Sequence, residues 1–257
     1  MKNSIVISGY PKSGNTWLTR LVGELINAPV EGFWNEPHNP EIAMEGEQRN
    51  SCFRVFKSHH QLTELDEIER SPDFIIYIVR DPRDVFLSAI TYFKHSHTLF
   101  SNNRNNVIIK ICNRIYSKTS ISQSRFRPNL LNAILEGDSS IHEWMKVSWI
   151  NHVEPYWNSK FLFIQYEDML KNPYQNAIRI LEYIGVEKSK NEIDESIKLQ
   201  SFKYRKSKFI SNKNTSQARF LNTGKSGSWK NLLTENEKSL FLNFLKKELE
   251  FFDYELH

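Results

Sequence analysis

The sequence predicts an α/β fold: a P-loop-containing parallel sheet flanked by helices on both faces, built as a single domain over residues 1–257. Three observations predict it. Short β-branched or aromatic runs alternate with longer helical patterns, the arrangement that gives parallel strands joined by crossover helices. A chain of 257 residues, 39% hydrophobic and 25% charged, has globular composition and enough length for one large core. Glycine is scarce, nine residues in all, yet four of the nine form two clusters, Gly9 with Gly14 and Gly224 with Gly227.

The elements follow in order. Strands are expected over 4–8, 53–58, 74–79 and 161–165, each a short apolar run of the kind that is buried in a parallel sheet. Helices are expected over 16–27, 82–94, 141–157 and 234–251. The second helix has a clear start, with Asp81 as N-cap and Pro82 at the first helical position. Residues 96–136 open on a polar, weakly periodic stretch and read as a lid or insertion, and 203–228 as a mobile basic loop. In sheets of this type ligands bind at the carboxyl ends of the strands.

Composition excludes several classes. Cys52 and Cys112 are too few for a disulfide framework or a four-cysteine zinc site, which points to a reducing compartment. No apolar run reaches the ~18 residues of a membrane span, and strand residues follow Met1-Lys2-Asn3 directly, so a cytoplasmic chain is expected. The formal charge of +4 is unevenly spread: residues 196–234 hold nine bases and no acid, and 85–135 hold seven bases and no acid. A polyanionic ligand suits such segregation.

The first glycine cluster, Gly9-Tyr10-Pro11-Lys12-Ser13-Gly14-Asn15-Thr16-Trp17, lies between the first strand and the first helix. Two glycines five apart followed by a hydroxyl residue form a phosphate-loop frame, in which backbone N–H groups and a helix N-terminus face an anion. A nucleotide-hydrolysing loop carries lysine where this chain has Asn15, and here the lysine is Lys12 within the loop. A triphosphate with magnesium is therefore disfavoured.

The run Tyr10-Pro11-Lys12-Ser13-Gly14-Asn15-Thr16-Trp17 resembles the donor loop Tyr-Pro-Lys-Ser-Gly-Thr-Thr-Trp of the cytosolic sulfotransferases, with Asn15 as the one departure. The resemblance implies a sulfuryl transfer enzyme that takes 3′-phosphoadenosine-5′-phosphosulfate (PAPS) as donor, releases 3′-phosphoadenosine-5′-phosphate (PAP) and needs no metal. Lys12, Ser13, Gly14, Asn15, Thr16 and Trp17 would hold the 5′-phosphosulfate end. Lys57-Ser58-His59 aligns with the family's Lys-Thr-His element, which makes His59 the general base, with Lys12 and Lys57 beside it as catalytic lysines. Strand alternation places Lys57 and His59 on one side and Ser58 and His60 on the other.

Arg80 and Ser88 match the family's arginine and serine, eight residues apart, that bind the 3′-phosphate. Trp149, His152 and Val153 match its Trp-x-x-His-Val segment, and Tyr166-Glu167-Asp168 its Tyr-Glu-Asp triplet, whose tyrosine reaches the nucleotide. Trp17 and Phe202 match the aromatic pair around the adenine. The second cluster, Asn222-Thr223-Gly224-Lys225-Ser226-Gly227-Ser228-Trp229-Lys230, resembles the family's Arg-Lys-Gly loop but carries Asn222-Thr223 in place of Arg-Lys. The family's dimer element is broken too, since Glu235 and Ser239 stand where valine and glutamate belong, so oligomeric state stays open.

The acceptor is expected to be a small molecule, an alcohol, phenol or amine, with Trp34 and Tyr92, beside Phe33 and Phe93, walling its site. The run 31–47 contains Glu31, Glu36, Glu41, Glu45 and Glu47 and no base, which keeps a cationic acceptor in view. Two alternatives compete: a P-loop kinase, disfavoured by Asn15, and a basic module for nucleic acid or an anionic membrane, which has no use for Lys12, His59 and Arg80 together. Neither a nucleic-acid nor a membrane partner is expected.

Overall fold

The computed structural model describes residues 2–35, 44–66, 71–93, 120–211 and 224–257. They form two compact units, the first from 1–80 and 152–226 and the second from 81–151 and 227–257.

The first unit contains a five-stranded sheet: β1 (Asn3–Ser8), β2 (Val30–Phe33), β3 (Phe53–Lys57), β4 (Phe74–Val79) and β5 (Leu162–Gln165), in the order β2-β3-β1-β4-β5 with every pairing parallel. The continuous run Ile5-Val6-Ile7 makes β1 the central strand, fully buried from Ser4 to Ser8. Helix α1 (Asn15–Leu25) places Leu18, Leu21, Val22 and Leu25 on one face, in a core with Ile5, Ile7, Val55, Ile76 and Ile78. Each such side chain contributes about 1.5–3 kcal/mol by leaving water. Leu18→Ala, at a site with no exposure, would cost about 2–5 kcal/mol.

Short helix α2 (Leu62–Asp66) follows β3. After β5 come α6 (Tyr166–Lys171), α7 (Pro173–Ile184), α8 (Lys190–Gln200) and α9 (Phe202–Ser211). Helix α7 starts on a proline and stops at Gly185 in the left-handed region (φ 70°), with the paired bonds from Gly185 N to Glu182 O and from Val186 N to Leu181 O. Ser189 and Glu192 close a capping box on α8.

The second unit holds α3 (Pro82–Phe93), α4 (Ser120–Glu136), the 3-10 turn Glu143–Met145, the start of α5 (Trp149–Trp157), α10 (Trp229–Leu232) and α11 (Glu235–Phe251). Asp81 caps α3 by accepting from Arg83 N at 2.9 Å, and its carboxylate also pairs with the buried Arg83 guanidinium. That guanidinium lies 3.5 Å from the centre of the Trp229 ring. Thr234 and Glu237 cap α11 reciprocally, and Arg127 binds Glu237.

Several expectations shift. The helix expected over 141–157 is broken, because His142 accepts from Trp144 N and Ser148 from Asn151 N, so that each starts a separate turn. Of the stretch read as a lid or insertion, 96–119 lie outside the described residues, whereas 120–136 form α4, with Leu130, Ala133 and Ile134 fully buried. The segment read as a loop over 203–228 begins as helix α9, anchored by a two-pronged pair between Arg205 and Glu45; 212–223 lie outside the described residues. Strand β2 was not foreseen. No described helix is long and apolar enough to cross a membrane.

Candidate active site

The glycine-framed loop turns between β1 and α1, with Ser13 N bonded to Tyr10 O at 3.1 Å and Lys12 and Gly14 both at positive φ, 73° and 105°. Trp17 N and Leu18 N bond to Gly14 O and start the helix. The first N–H groups of α1 therefore face the loop as an anion-binding end. Both glycines are sterically required. A Cβ on Gly9 would stand 2.5 Å from Ile78 O and 2.9 Å from Asn15 Nδ2, and one on Gly14 would stand 2.7 Å from the Tyr166 ring. Ser13 Oγ is buried and has no hydrogen-bond partner among the described residues. A cradle with converging N–H groups, a lysine and an unsatisfied hydroxyl fits a phosphate or sulfate ester.

His59 follows β3 and is buried. Its Nδ1 lies 2.7 Å from Gly9 O. A carbonyl only accepts, so Nδ1 carries the proton of the neutral ring and Nε2 presents the lone pair. Ser58 Oγ and His60 Nδ1 pair with each other at 2.9 Å. Lys57 Nζ lies 4.7 Å from the centre of the Phe33 ring, and that ring is 5.7 Å from His59. Phe33 is thus an aromatic neighbour of both Lys57 and His59. Trp34, expected at the acceptor, packs edge-on to Phe56 at 5.0 Å. Tyr92 belongs to the second unit, half-buried and edge-on to Phe93.

Beneath the His59 backbone lies a buried polar layer that sequence reasoning left without a role. His152 Nε2 donates to His59 O at 3.0 Å and its Nδ1 accepts from the Tyr77 hydroxyl at 2.8 Å. Tyr156 donates to His60 O at 2.8 Å and accepts from Ser8 Oγ. Burial pushes His152 from 6.5 down to about 4, against the opposing pull of the His59 carbonyl, so the ring is neutral at pH 7. The spacing of Trp149, His152 and Val153 marks an inward helix face, which is the signal that points to this layer.

Most of the residues that the resemblance assigns to the nucleotide lie in the first unit. Arg80 donates to Lys12 O at 3.2 Å and to Lys225 O at 3.1 Å, joining the two glycine loops, and its guanidinium sits 4.3 Å from the centre of the Tyr166 ring. Tyr166 meets Trp17 edge-on at 5.6 Å, and Trp17 Nε1 donates to Gln200 O. Gly224 (φ 60°) lies against Phe202, where a Cβ would come within 2.8 Å of the ring. Thr16 occupies the first turn of α1. Ser88 is in the second unit, buried on α3 one turn beyond Asp84, which accepts from Gly227 N at 2.6 Å and Trp229 N at 3.2 Å. Asn222 and Thr223 lie outside the described residues.

A further network was missed. Glu45 binds Arg205 through both oxygens and Arg20 at 3.3 Å, and Gln200 donates to Glu45 and Glu24. Burial pushes the Glu45 carboxyl up, but Arg205 and Arg20 outweigh it and hold it below its ordinary value. Glu31 is paired with Arg54 at 3.2 Å. Two of the five glutamates singled out over 31–47 thus face arginines, while Glu36 and Glu41 lie outside the described residues. Among the described residues no cluster of three or more His, Cys, Asp or Glu is arranged to hold a metal ion.

A parallel sheet whose first strand runs into a phosphate cradle, with a lysine inside the loop and an oriented histidine beside it, defines a P-loop-type group-transfer enzyme. The family described as Sulfotransferase domain matches residues 2–252, and the chain belongs to it. It is a sulfotransferase, of the family whose donor is PAPS. Its relatives include the flavonol 3-sulfotransferase of Flaveria bidentis, 25% identical over 91% of this chain and 77% of that protein. Sulfotransferase 1E1 of Bos taurus is 26% identical over 92% and 80%. Among solved structures, mouse sulfotransferase SULT7A1 complexed with PAP superposes with a TM-score of 0.64 at 21% identity, covering 97% of this chain and 84% of that one. Retinol dehydratase in complex with retinol and PAP gives 0.59 at 18%, covering 100% and 84%; at these identities the likeness is one of fold.

Proposed function

We propose that the chain transfers the sulfuryl group of PAPS to a hydroxyl or amine of a small-molecule acceptor, with His59 as general base. The observation that carries this reading is the bond from His59 Nδ1 to Gly9 O, which sets Nε2 as the proton acceptor beside the phosphate loop. PAPS supplies the sulfuryl group and a phosphate leaving group. His59 Nε2 takes the acceptor proton as the acceptor atom bonds to sulfur and the bond from sulfur to the phosphate oxygen breaks. Lys12, helped by Lys57 and the N–H groups of α1, holds the negative charge that grows on that oxygen. Ser13, Gly14, Thr16 and the backbone of Asn15 hold the 5′ end. Trp17 and Phe202 hold the adenine, with Tyr166 beside them. Arg80, Gly224 and Lys225 serve the 3′-phosphate.

Phe33 at the base favours an acceptor with an apolar body. The ion pairs of Glu31 and Glu45 weigh against a cationic one, since those charges already have partners. Relatives named for a flavonol and crystallised with retinol support hydroxyl acceptors of this kind. The test is transfer from radiolabelled PAPS to 2-naphthol, a long-chain alcohol and an arylamine. His59→Gln and Lys12→Ala are each expected to lower kcat by about 10²–10⁴-fold, with the fold intact. Wild-type turnover in either variant would overturn the assignment, and magnesium-dependent ATP hydrolysis by the pure protein would revive the kinase.

A further inference from the structure

The family pattern has threonine where this chain has Asn15, and the geometry gives the asparagine work that one hydroxyl cannot do. The side chain is buried, 2% exposed, and its amide nitrogen lies 3.0 Å from Gly9 O and 3.1 Å from Ser58 O. Both partners are carbonyls, which only accept, so both amide hydrogens are committed and the orientation of the amide is determined. Its Oδ1 is buried with no hydrogen-bond partner among the described residues. An acceptor oxygen is the wrong group to hold an anionic phosphosulfate.

We propose that Asn15 is a positioning residue for the base, acting through the Gly9 carbonyl that it shares with His59. The proposal rests on the reading of His59 as that base. Gly9 O accepts from His59 Nδ1 at 2.7 Å and from Asn15 at 3.0 Å, which occupies both lone pairs and holds the peptide plane. The second bond, to Ser58 O, grips the residue immediately before His59. On the far side His152 grips the carbonyl of His59 itself. The imidazole is thereby held from its ring and from its backbone, with Nδ1 protonated and Nε2 as acceptor. Asn15 is in turn anchored, since Thr19 Oγ1 donates to Asn15 O at 2.7 Å. A threonine at residue 15 has one hydroxyl hydrogen and can serve one of the two carbonyls.

The experiment compares wild type, Asn15→Leu, which keeps the size and removes both donors, Asn15→Thr, which keeps one, and His59→Gln. PAP affinity is measured by calorimetry. With PAP bound, at pH about 8, above the ordinary histidine range, a long-range proton–nitrogen spectrum reports the tautomer of each histidine, and His59 is assigned by its loss in His59→Gln. Turnover is read with 2-naphthol or the faster of the other two acceptors. Wild type is expected to show His59 protonated on Nδ1. Asn15→Leu is expected to bind PAP within about twofold of wild type, to lose about tenfold in kcat, and to bring the two His59 nitrogen resonances together as tautomers mix. Asn15→Thr should fall between, and it carries the same measurement if the leucine variant does not fold. An unchanged tautomer signature in the Asn15 variants overturns the proposal, as does a loss of PAP binding equal to the loss of turnover. Those results with an inactive His59→Gln leave the base reading standing, whereas an active His59→Gln overturns both.

Discussion

His152 shows how a single buried residue ties acid stability to the site. It is neutral in the fold because burial outweighs the pull of its carbonyl partner, and its value falls from 6.5 to about 4. The unfolded chain therefore binds a proton that the folded chain refuses between those two values. This part of the stability is fully present above pH 6.5 and is lost as pH falls toward 4. From pH 7.5 to pH 5 the loss amounts to about 2 kcal/mol. His152→Gln, which can still donate to the His59 carbonyl but cannot titrate, should flatten the decline in urea unfolding free energy over that range. A variant with the wild-type slope would show that the acid sensitivity lies elsewhere.

At the scale of elements, what was legible in the sequence depended on how local the signal is. Strand β1 and the loop after it were readable because a continuous apolar run and two sterically required glycines are properties of neighbouring residues. His59 was singled out over His60 by the resemblance of Lys57-Ser58-His59 to the family's Lys-Thr-His element, a signal that is likewise carried by neighbouring residues. Strand β2 was not readable, being four residues long with Gly32 inside and ordered by tertiary partners, among them β3 and a bridge from Val30 to Glu45. The bonding of Asn15 was hidden for the same reason, since one of its partners is 43 residues away. The Glu45 network is likewise a tertiary fact, tying the segment after β2 to α1, the end of α8 and the first turns of α9. Removing the carboxylate in Glu45→Ala leaves buried Arg20 and Arg205 facing each other, and Arg20 is already lowered to about 10 by burial and by Arg205, against the pull of Glu45. Partial exposure of the pair places the expected loss below the roughly 3–5 kcal/mol of a fully buried ion pair, at about 2–3 kcal/mol. Because Phe202 opens α9, PAP affinity should fall with it. The pair's contribution is present above the ordinary glutamate value of 4.5 and is lost as pH falls through the lower value in the fold. An unchanged urea midpoint in Glu45→Ala would remove the network from the account.

At the scale of the whole molecule, the residues proposed for the nucleotide are unevenly divided. Lys12, Ser13, Trp17, Arg80, Tyr166, Phe202, Gly224 and Lys225 all belong to the first unit, and Ser88 is the one described member in the second. A ligand that binds only folded protein stabilises it by mass action, about 2.7 kcal/mol at a hundred times its Kd, which raises Tm by about 5–10 °C for a chain of this size. If the two units melt as separate transitions, PAP should move the transition of the first unit the more. The comparison that matters is with adenosine 5′-phosphate, which keeps the adenine for Trp17 and Phe202 and the 5′-phosphate for the loop but lacks the group proposed for Arg80 and Lys225. At equal concentration it should raise Tm by clearly less than PAP. Arg80→Ala should narrow the gap between the two ligands, the PAP shift falling the more. Calorimetric scans of both proteins with each ligand decide it. Equal shifts in the wild type would mean that the 3′-phosphate is not read by this chain, and would turn Asn222-Thr223, in place of Arg-Lys, from a local departure into a change of donor specificity.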